Sequence, residues 1–396
     1  MRIAWVSPYL PAPANTGRRI RIRRLAEALS HHDLHLFCAI APEDPDPRSL
    51  PPSAVGPWSS VTSMRQLQVR LALRAPRPAC AVPPDLMLSL QAADRVLPFD
   101  LVIAEHCFSL RDFPPMKHAP LLIDEHDVES ERCLDGAARS PRKLMQSACW
   151  RRFERRAWKR ADLVVASKQA DSERIGAVRG AACPVVPDGV ALDRCRYIPP
   201  SQRPGSGVLF VGSMSREPDI RAAELLARKV LPIVRSHVPD ASLTLAGRDP
   251  GPGIRALASK NVCVTGTLDD LGPTFESHAV YASAIDSGAG CSTRILEALA
   301  SGIPVVSSPA GIRGFELGHE DHCLVAATPK LLAASIAAVL TARQDFDPMA
   351  SRAHAVAIPF DWSVIAARFR DVAEAAAARG RSLGPSARMA PPSSSR

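Results

Sequence analysis

The chain repeats one local pattern: a short apolar run rich in β-branched residues, a turn that carries glycine, and a stretch with helical spacing. Strands that form nearly continuous apolar runs are typical of parallel sheets covered by helices on both faces. The sequence therefore predicts an α/β fold. The candidate strands are 2–6, 35–40, 101–104, 121–124, 163–166, 184–187, 208–211, 242–246, 262–265, 280–285 and 304–307.

The number of predicted strands is larger than one ordinary parallel sheet contains, and the chain of 396 residues is longer than a typical single domain. We therefore expect two doubly wound, Rossmann-like domains. Segment RYIPPSQRPGSG is rich in proline, glycine and serine and precedes a fresh strand. The predicted division is a first domain at 1–195, a linker at 196–207, a second domain at 208–360, a helix at 361–380 that crosses back to the first domain, and a disordered tail at 381–396.

Composition narrows the class of protein. Hydrophobic residues make up 46% of the chain, yet no run approaches the ~20 apolar residues of a membrane helix. The ten cysteines are scattered without a Cys-x-x-Cys pair, which disfavours zinc and redox sites and fits a reducing cytoplasm. We expect a cytoplasmic protein. The net charge of +9 permits anionic partners without choosing among them.

Glycines and charged residues follow the predicted strands, where open parallel sheets bind their ligands. Gly17 precedes a helix that carries Arg18, Arg19 and Arg21 in its first turns. This arrangement fits an anion held at a helix start, or a βα turn with a solvated basic face. No Gly-x-Gly-x-x-Gly motif supports a dinucleotide site.

Segment DEHDVES places five ionisable side chains directly after strand 121–124. His126 can accept or donate a proton near neutral pH. The alternative is a turn in which Asp127 caps the following helix. The density of ionisable groups exceeds what capping needs and favours a functional site.

Two predicted strands in the second half of the chain are likewise followed by a glycine and an arginine. Gly212 follows strand 208–211, and Arg216 is placed either to meet a phosphate or to lie exposed on a turn. Gly247 and Arg248 follow strand 242–246 in the same way.

The strongest signal is GAGCSTRILEALASGIPVV, which follows strand 280–285. A glycine-rich turn before a helix brings backbone N–H groups against an anion, and the helix adds about half a positive charge. Glu297 lies between apolar neighbours in this helix and can accept two hydroxyl hydrogen bonds from a ribose. The pattern predicts a diphosphate held by backbone rather than by metal, so no metal cofactor is expected. The candidate turn residues are Gly288, Ala289, Gly290 and Ser292.

Together these motifs resemble the GT-B glycosyltransferases, specifically the retaining nucleotide-sugar enzymes of glycosyltransferase family 4. The resemblance extends over nearly the whole chain, from SPYLPAPANTGRRIR through LLIDEHDVES, RRFERRAWKRAD, VVPDGVALD and VLFVGSMSREPDI to GAGCSTRILEALASGIPVVSS. Within the family, the chain is most similar to bacterial exopolysaccharide-type sugar transferases. The resemblance implies two Rossmann-like domains that face each other across a cleft.

The resemblance also implies residue roles. Glu297 matches the second Glu of the family's Glu-x7-Glu motif, which binds the nucleotide ribose, and residues 288–292 match the loop over the diphosphate. Gly17 matches a glycine that faces the donor phosphates, and His126 matches a histidine near the transferred sugar. Arg294 stands where close relatives carry Lys.

Three positions depart from the family pattern. The first Glu of the motif falls at Ala289, a change that close relatives share. The usual Arg and Lys pair is replaced by Ser213 and Pro218, with Arg216 as the candidate substitute. The usual Asn of the DEHN-type turn is Asp127.

The implied activity is transfer of a sugar from a nucleotide-diphosphate donor to a hydroxyl of a lipid-linked or saccharide acceptor. The resemblance implies retention at the anomeric carbon and a role in cell-surface or exopolysaccharide synthesis. A non-catalytic scaffold of a polysaccharide assembly complex and a nucleotide-sugar epimerase remain alternatives. Dispersed basic residues disfavour nucleic-acid binding.

Segment 143–160 is basic, with aromatic residues interleaved. It fits peripheral contact with an anionic membrane, at the inner face of the plasma membrane. The favoured interpretation is a solvated helix whose aromatic side chains pack on the core.

Overall fold

The computed structural model describes residues 1–14, 16–40, 44–50, 56–65, 82–110, 113, 116, 119–134, 140–268, 270–287 and 293–382. The chain divides into two compact units, Met1–Asp188 with Ser363–Arg396, and Gly189–Trp362. Each contains a six-stranded sheet in which every pairing is parallel. The predicted α/β class is confirmed.

The first unit has the strand order β3-β2-β1-β4-β5-β6. Its apolar runs are buried on both faces, since β4 and β5 have no exposed residue. The strands are β1 Arg2–Ser7, β2 Asp33–Ile40, β3 Ser60–Arg65, β4 Leu101–Glu105, β5 Leu121–Glu125 and β6 Leu163–Ala166. The helices are α1 Gly17–Ala28, α2 Pro84–Val96, α3 Glu129–Arg132, α4 Pro141–Arg160 and α5 Gln169–Arg179.

The second unit has the order β12-β11-β10-β7-β8-β9. The strands are β7 Gly207–Val211, β8 Ser242–Ala246, β9 Val262–Gly266, β10 Val280–Ser283, β11 Val305–Ser307 and β12 Leu324–Val325. The helices are α6 Glu217–Leu225, α7 Leu231–His237, α8 Pro252–Arg255, α9 Gly272–Glu276, α10 Thr293–Ser301, α11 Pro329–Thr341 and α12 Asp347–Ala357. The last helix, α13 Trp362–Ser382, begins at the final residue of this unit and continues in the first.

Local sequence accounts for several helix boundaries. Thr16, Ser140 and Thr328 cap α1, α4 and α11, because each side chain accepts a hydrogen bond from the backbone N–H three residues later. Gly180 ends α5 in the left-handed conformation that glycine adopts without steric cost.

The segment predicted as a linker, 196–207, lies within the second unit. Arg203 explains why it is fixed there. Its side chain is almost fully buried and donates to the carbonyl oxygens of Ile198, Phe275, His278 and Ser301. The other bounds proposed from the sequence stay predictions, and most of the predicted tail lies outside the described residues.

The structure differs from the predicted strands at three places. Residues 184–187 form only an isolated bridge between Val185 and Ala166. β3 was missed because its sequence, SVTSMR, contains four polar residues and lacks a continuous apolar run. β12 was missed because two residues are too short for any periodic signal.

Candidate functional site

In the first unit, the strand order reverses between β1 and β4, and the carboxyl ends of neighbouring strands carry a buried cluster of ionisable side chains. β4 ends at Glu105, β5 ends at Asp124 and Glu125, and His126 follows directly. All four side chains are buried. The point of reversal is where open α/β sheets form their ligand sites.

Arg21 supplies the positive charge that this cluster needs. Its Nη2 and Nε donate to the two carboxylate oxygens of Asp124 at 2.7 and 2.9 Å, and Nη1 donates to Asp188 at 3.1 Å. The Arg21 guanidinium and its neighbour His126 outweigh the effect of burial and lower the pKa of Asp124. Arg21 therefore does not lie on a solvated basic face of α1, since it forms a buried bidentate ion pair.

His126 is held as a cation. Its Nε2 lies 2.7 Å from Glu105 Oε2 and 3.2 Å from Asp124 Oδ2. Burial by itself lowers the pKa of His126, but these two carboxylates outweigh it and raise the pKa to about 9. Near neutral pH, His126 therefore acts as a hydrogen-bond donor and not as a general base. Its Nδ1 has no hydrogen-bond partner among the described residues.

Two tryptophans anchor the carboxyl groups. Trp5 Nε1 donates to Glu105 at 2.7 Å, and Trp158 Nε1 donates to Glu125 at 2.9 Å. Burial raises the pKa of Glu125 to about 8, so its neutral form prevails at pH 7. The aromatic side chains thus fix both carboxyl groups without adding charge.

His106 completes the cluster. It adopts φ +59°, stacks on Phe108 with ring centroids 4.5 Å apart, and lies 4.2 Å from the His126 ring. Burial and the His126 charge hold its pKa well below the usual value, so His106 is neutral. Neither ring nitrogen makes a hydrogen bond to a described residue.

Sequence reasoning missed Glu105 and His106. Both directly follow the predicted strand 101–104, so the rule that singled out His126 would have found them. The alternative role of Asp127 as a helix cap is not what the structure shows. Asp127 accepts from Lys168 Nζ at 2.6 Å, and the capping position of α3 is Val128.

Gly17 is the first residue of α1, where Thr16 provides the cap. A Cβ atom built on Gly17 meets no described atom within 4 Å. Packing therefore does not require a glycine there, and the space beside this helix start is open.

In the second unit, the strand order reverses between β7 and β10. Two glycines allow the ends of β7 and β8 to approach each other. Gly247 has φ +148°, and a Cβ there would lie 1.7 Å from the Gly212 carbonyl oxygen. A Cβ on Gly212 would lie 2.9 Å from Asp219 Oδ1. Close packing thus accounts for both glycines without a ligand.

The two predicted phosphate-binding arginines differ in their environment. Arg216 lies just before α6, with 63% of its side chain exposed and Asp219 at 3.8 Å. Arg248 is half-buried, and its guanidinium has no hydrogen bond or ion pair with any other described residue. Both guanidinium groups are available to an anion.

Glu297 and Arg294 form a pair on α10. Arg294 Nη1 donates to both carboxylate oxygens of Glu297, at 2.7 and 2.8 Å. About a quarter of the Glu297 side chain is exposed, so its oxygens are accessible. At the end of β10, Asp286 receives two hydrogen bonds from Arg221. The predicted turn residues Gly288, Ala289, Gly290 and Ser292 lie outside the described residues.

The aromatic side chains of the basic helix α4 pack inward. Trp150 and Trp158 are buried and Phe153 is half-buried. The exposed side of α4 is cationic, and its one acid, Glu154, is buried. In the described part of the chain, no helix combines the length and the apolar character needed to cross a bilayer. The exposed basic residues are Arg142, Arg151, Arg152, Arg155, Arg156, Lys159 and Arg160.

Two parallel six-stranded sheets with flanking helices, in these strand orders, define the GT-B class of fold. The chain superposes on sucrose-phosphate synthase of Thermosynechococcus elongatus with a TM-score of 0.68 and 18% identity, covering 96% of this chain and 100% of that one. It superposes on Anabaena HepE in complex with UDP-glucose with a TM-score of 0.63 and 16% identity, covering 95% and 100%.

Residues 205–342 match the family described as Glycosyl transferases group 1. The chain is also 30% identical over 209 residues to a phosphatidyl-myo-inositol mannosyltransferase of Mycobacterium tuberculosis. That match covers 49% of this chain and 54% of the relative, so the chain spans about half the length of the curated relative.

Proposed function

We propose that the protein is a retaining glycosyltransferase that uses a nucleotide-diphosphate sugar and a hydroxyl acceptor. The glycosidic C–O bond to the diphosphate breaks, the acceptor oxygen bonds to the same carbon, and the acceptor proton leaves toward the departing diphosphate. The observation that carries the proposal is the accessible Glu297 carboxylate on α10, within the residues that match the glycosyl transferases group 1 family.

Glu297 is suited to bind a ribose. Its two oxygens can accept hydrogen bonds from two neighbouring hydroxyls while Arg294 keeps the carboxylate oriented. Such a contact is made equally in the ground state and the transition state, so it contributes to donor binding rather than to kcat. Gly288, Ala289, Gly290 and Ser292 are proposed as backbone donors to the diphosphate.

The leaving diphosphate needs positive charge. Arg216 and Arg248 follow β7 and β8 and are proposed to contact it, because neither is committed to a close carboxylate. Fixed donors of this kind stabilise charge that develops on a leaving group. We further propose that Gly17, with open space at the start of α1, allows close approach of a phosphate. Gly212 is proposed to line the donor site through its backbone.

His126 is proposed to donate a hydrogen bond from Nδ1 to the transferred sugar. Asp124 and Glu105 hold Nε2 and keep the ring positively charged. A front-face reaction with retention needs no strong protein nucleophile, and a histidine that is protonated near neutral pH is consistent with that. The expectation that no metal takes part in the transfer stays a prediction.

The acceptor is proposed to be lipid-linked or a saccharide, in cell-surface or exopolysaccharide synthesis at the inner face of the plasma membrane. The cationic exposed side of α4 supports contact with anionic lipid. Flotation with vesicles of anionic and of neutral lipid tests this contact. Failure to bind anionic vesicles at low salt would remove the membrane from the proposal.

The activity is tested by a thermal-shift screen of nucleotide sugars, followed by NMR of the product's anomeric configuration. Stabilisation by one donor and a product of unchanged configuration are expected. A scaffold would bind no nucleotide, and an epimerase would convert the donor without an acceptor.

A further inference from the structure

Two adjacent histidines and a glutamate converge on the surface of the first unit, apart from the buried cluster. His31 and His32 lie in the turn between α1 and β2, and Glu374 lies on α13. Nε2 of each histidine lies 3.1 Å from the same atom, Oε1 of Glu374. The two imidazole rings have centroids 3.8 Å apart. Neither the fold of the sheet nor the proposed transfer reaction requires this convergence.

The spacing of these atoms matches a metal site. Ligand atoms at about 2.0–2.1 Å from a tetrahedral Zn²⁺ stand about 3.3 Å from each other. Both nitrogen-to-oxygen distances in the cluster are 3.1 Å, and the three ligand atoms lie within 4.8 Å of one another. An ion can therefore enter with side-chain shifts of a few tenths of an ångström. Two histidines and one carboxylate are also a recurrent ligand set for Zn²⁺.

We propose that His31, His32 and Glu374 bind a divalent transition-metal ion, for which Zn²⁺ is the probe. The ion takes Nε2 from each histidine and Oε1 from the glutamate, and water completes its coordination. It clamps α13 to the turn between α1 and β2, so its role is structural.

The alternative is a pair of ordinary hydrogen bonds to one carboxylate. The Met1 amino group lies 3.4 Å from His32 Nδ1 and takes part in that arrangement. A metal ion binds only neutral imidazole, so its affinity falls as the two histidines become protonated at lower pH. Calorimetry at pH 8 and at pH 6 therefore separates the two arrangements.

The experiment uses the full chain without a histidine tag and with Zn²⁺ as chloride. One ion per chain is expected at pH 8, together with a higher unfolding temperature. H31N and E374Q should each weaken binding at least tenfold and abolish the thermal shift. His237→Asn is the matched control, because His237 is exposed and belongs to the second unit. His237→Asn should change neither the affinity for Zn²⁺ nor the thermal shift.

Exposed thiols are the main competitor, since Cys149 and Cys263 are accessible. Co²⁺ distinguishes them, because thiolate ligation adds an intense charge-transfer band that nitrogen and oxygen ligands lack. Absence of Zn²⁺ binding at pH 8, equal binding by H31N and E374Q, or a thiolate band with Co²⁺ would each overturn the proposal.

Discussion

Arg294 places one guanidinium nitrogen 2.7 and 2.8 Å from the two oxygens of Glu297, three residues further along α10. The pair is partly exposed, with 30% of the Arg294 side chain and 24% of the Glu297 side chain accessible. One side chain therefore both neutralises the carboxylate and fixes its direction. A hydroxyl ligand meets an oriented acceptor and does not have to order it first.

This relationship predicts the effect of Arg294→Met. The carboxylate of Glu297 loses its orientation, so the donor KM should rise about tenfold, the equivalent of ~1.4 kcal/mol. Initial rates at varied donor concentration measure it. Arg294→Lys is the matched variant, which keeps the charge and should cost less. An unchanged KM in Arg294→Met would show that the pair does not serve donor binding.

The buried ion pair of Arg21 and Asp124 predicts a large loss of stability in Arg21→Met. The change leaves a buried carboxylate without its partner, which typically costs about 3–5 kcal/mol. Urea unfolding followed by tryptophan fluorescence measures it, since four of the five tryptophans lie in the first unit. Arg24→Met on the same helix removes a half-exposed pair with Glu27 and should cost under about 1 kcal/mol. Equal losses in the two variants would contradict this account.

The raised pKa of Glu125 makes the free energy of unfolding depend on pH. Its pKa is raised to about 8 by burial, so the folded chain keeps a proton that the unfolded chain releases from about pH 4.5 upward. The stabilising effect is full below the unfolded pKa and is lost as the pH rises through 8. The free energy of unfolding should fall by about 1.4 kcal/mol per pH unit across this window.

Glu125→Gln has no ionisable group at this position, so the free energy of unfolding should lose the part of its pH dependence that Glu125 contributes. His126 continues to titrate up to about pH 9 in the variant. Urea unfolding between pH 5 and pH 8 compares the variant with Glu173→Gln on the exposed side of α5. A profile in Glu125→Gln as steep as that of the unmodified chain would show that Glu125 is ionised when folded.

The contact between the ends of β7 and β8 predicts that Gly247 tolerates no side chain. Gly247→Ala places a Cβ 1.7 Å from the Gly212 carbonyl oxygen and strains a backbone at φ +148°. A loss of more than about 2 kcal/mol is expected in thermal or urea unfolding. Gly253→Ala is the control, because a Cβ there meets no described atom within 4 Å and the residue lies in α8. It should be neutral or slightly stabilising.

Local sequence patterns predict much of this fold, because an apolar run indicates a strand whose side chains are buried on both faces of the sheet. VLFV is a continuous apolar run and LTLA is interrupted by a single threonine, and both form inner strands where predicted. β3, at the edge of its sheet, has four polar residues among six and no continuous apolar run. Its position depends on pairing with β2, a contact that no local pattern records.

The candidate site was predictable only in part. Its position after a strand makes His126 a candidate site residue, and its protonation depends on Glu105, 21 residues earlier in the chain. Arg21 looked like a surface charge because its neighbours in sequence are basic, and only the fold brings it to Asp124. Contacts between distant segments set the charge of this cluster, and a single sequence does not show such contacts.

The central claim is that Glu297 anchors the pentose of a nucleotide-diphosphate donor. The most direct test is calorimetric binding of the donor found in the screen to Glu297→Ala, with the exposed Glu320→Ala of the same unit as control. We predict at least tenfold weaker binding in Glu297→Ala and unchanged binding in Glu320→Ala. Equal affinity of the two variants for the donor would contradict the account.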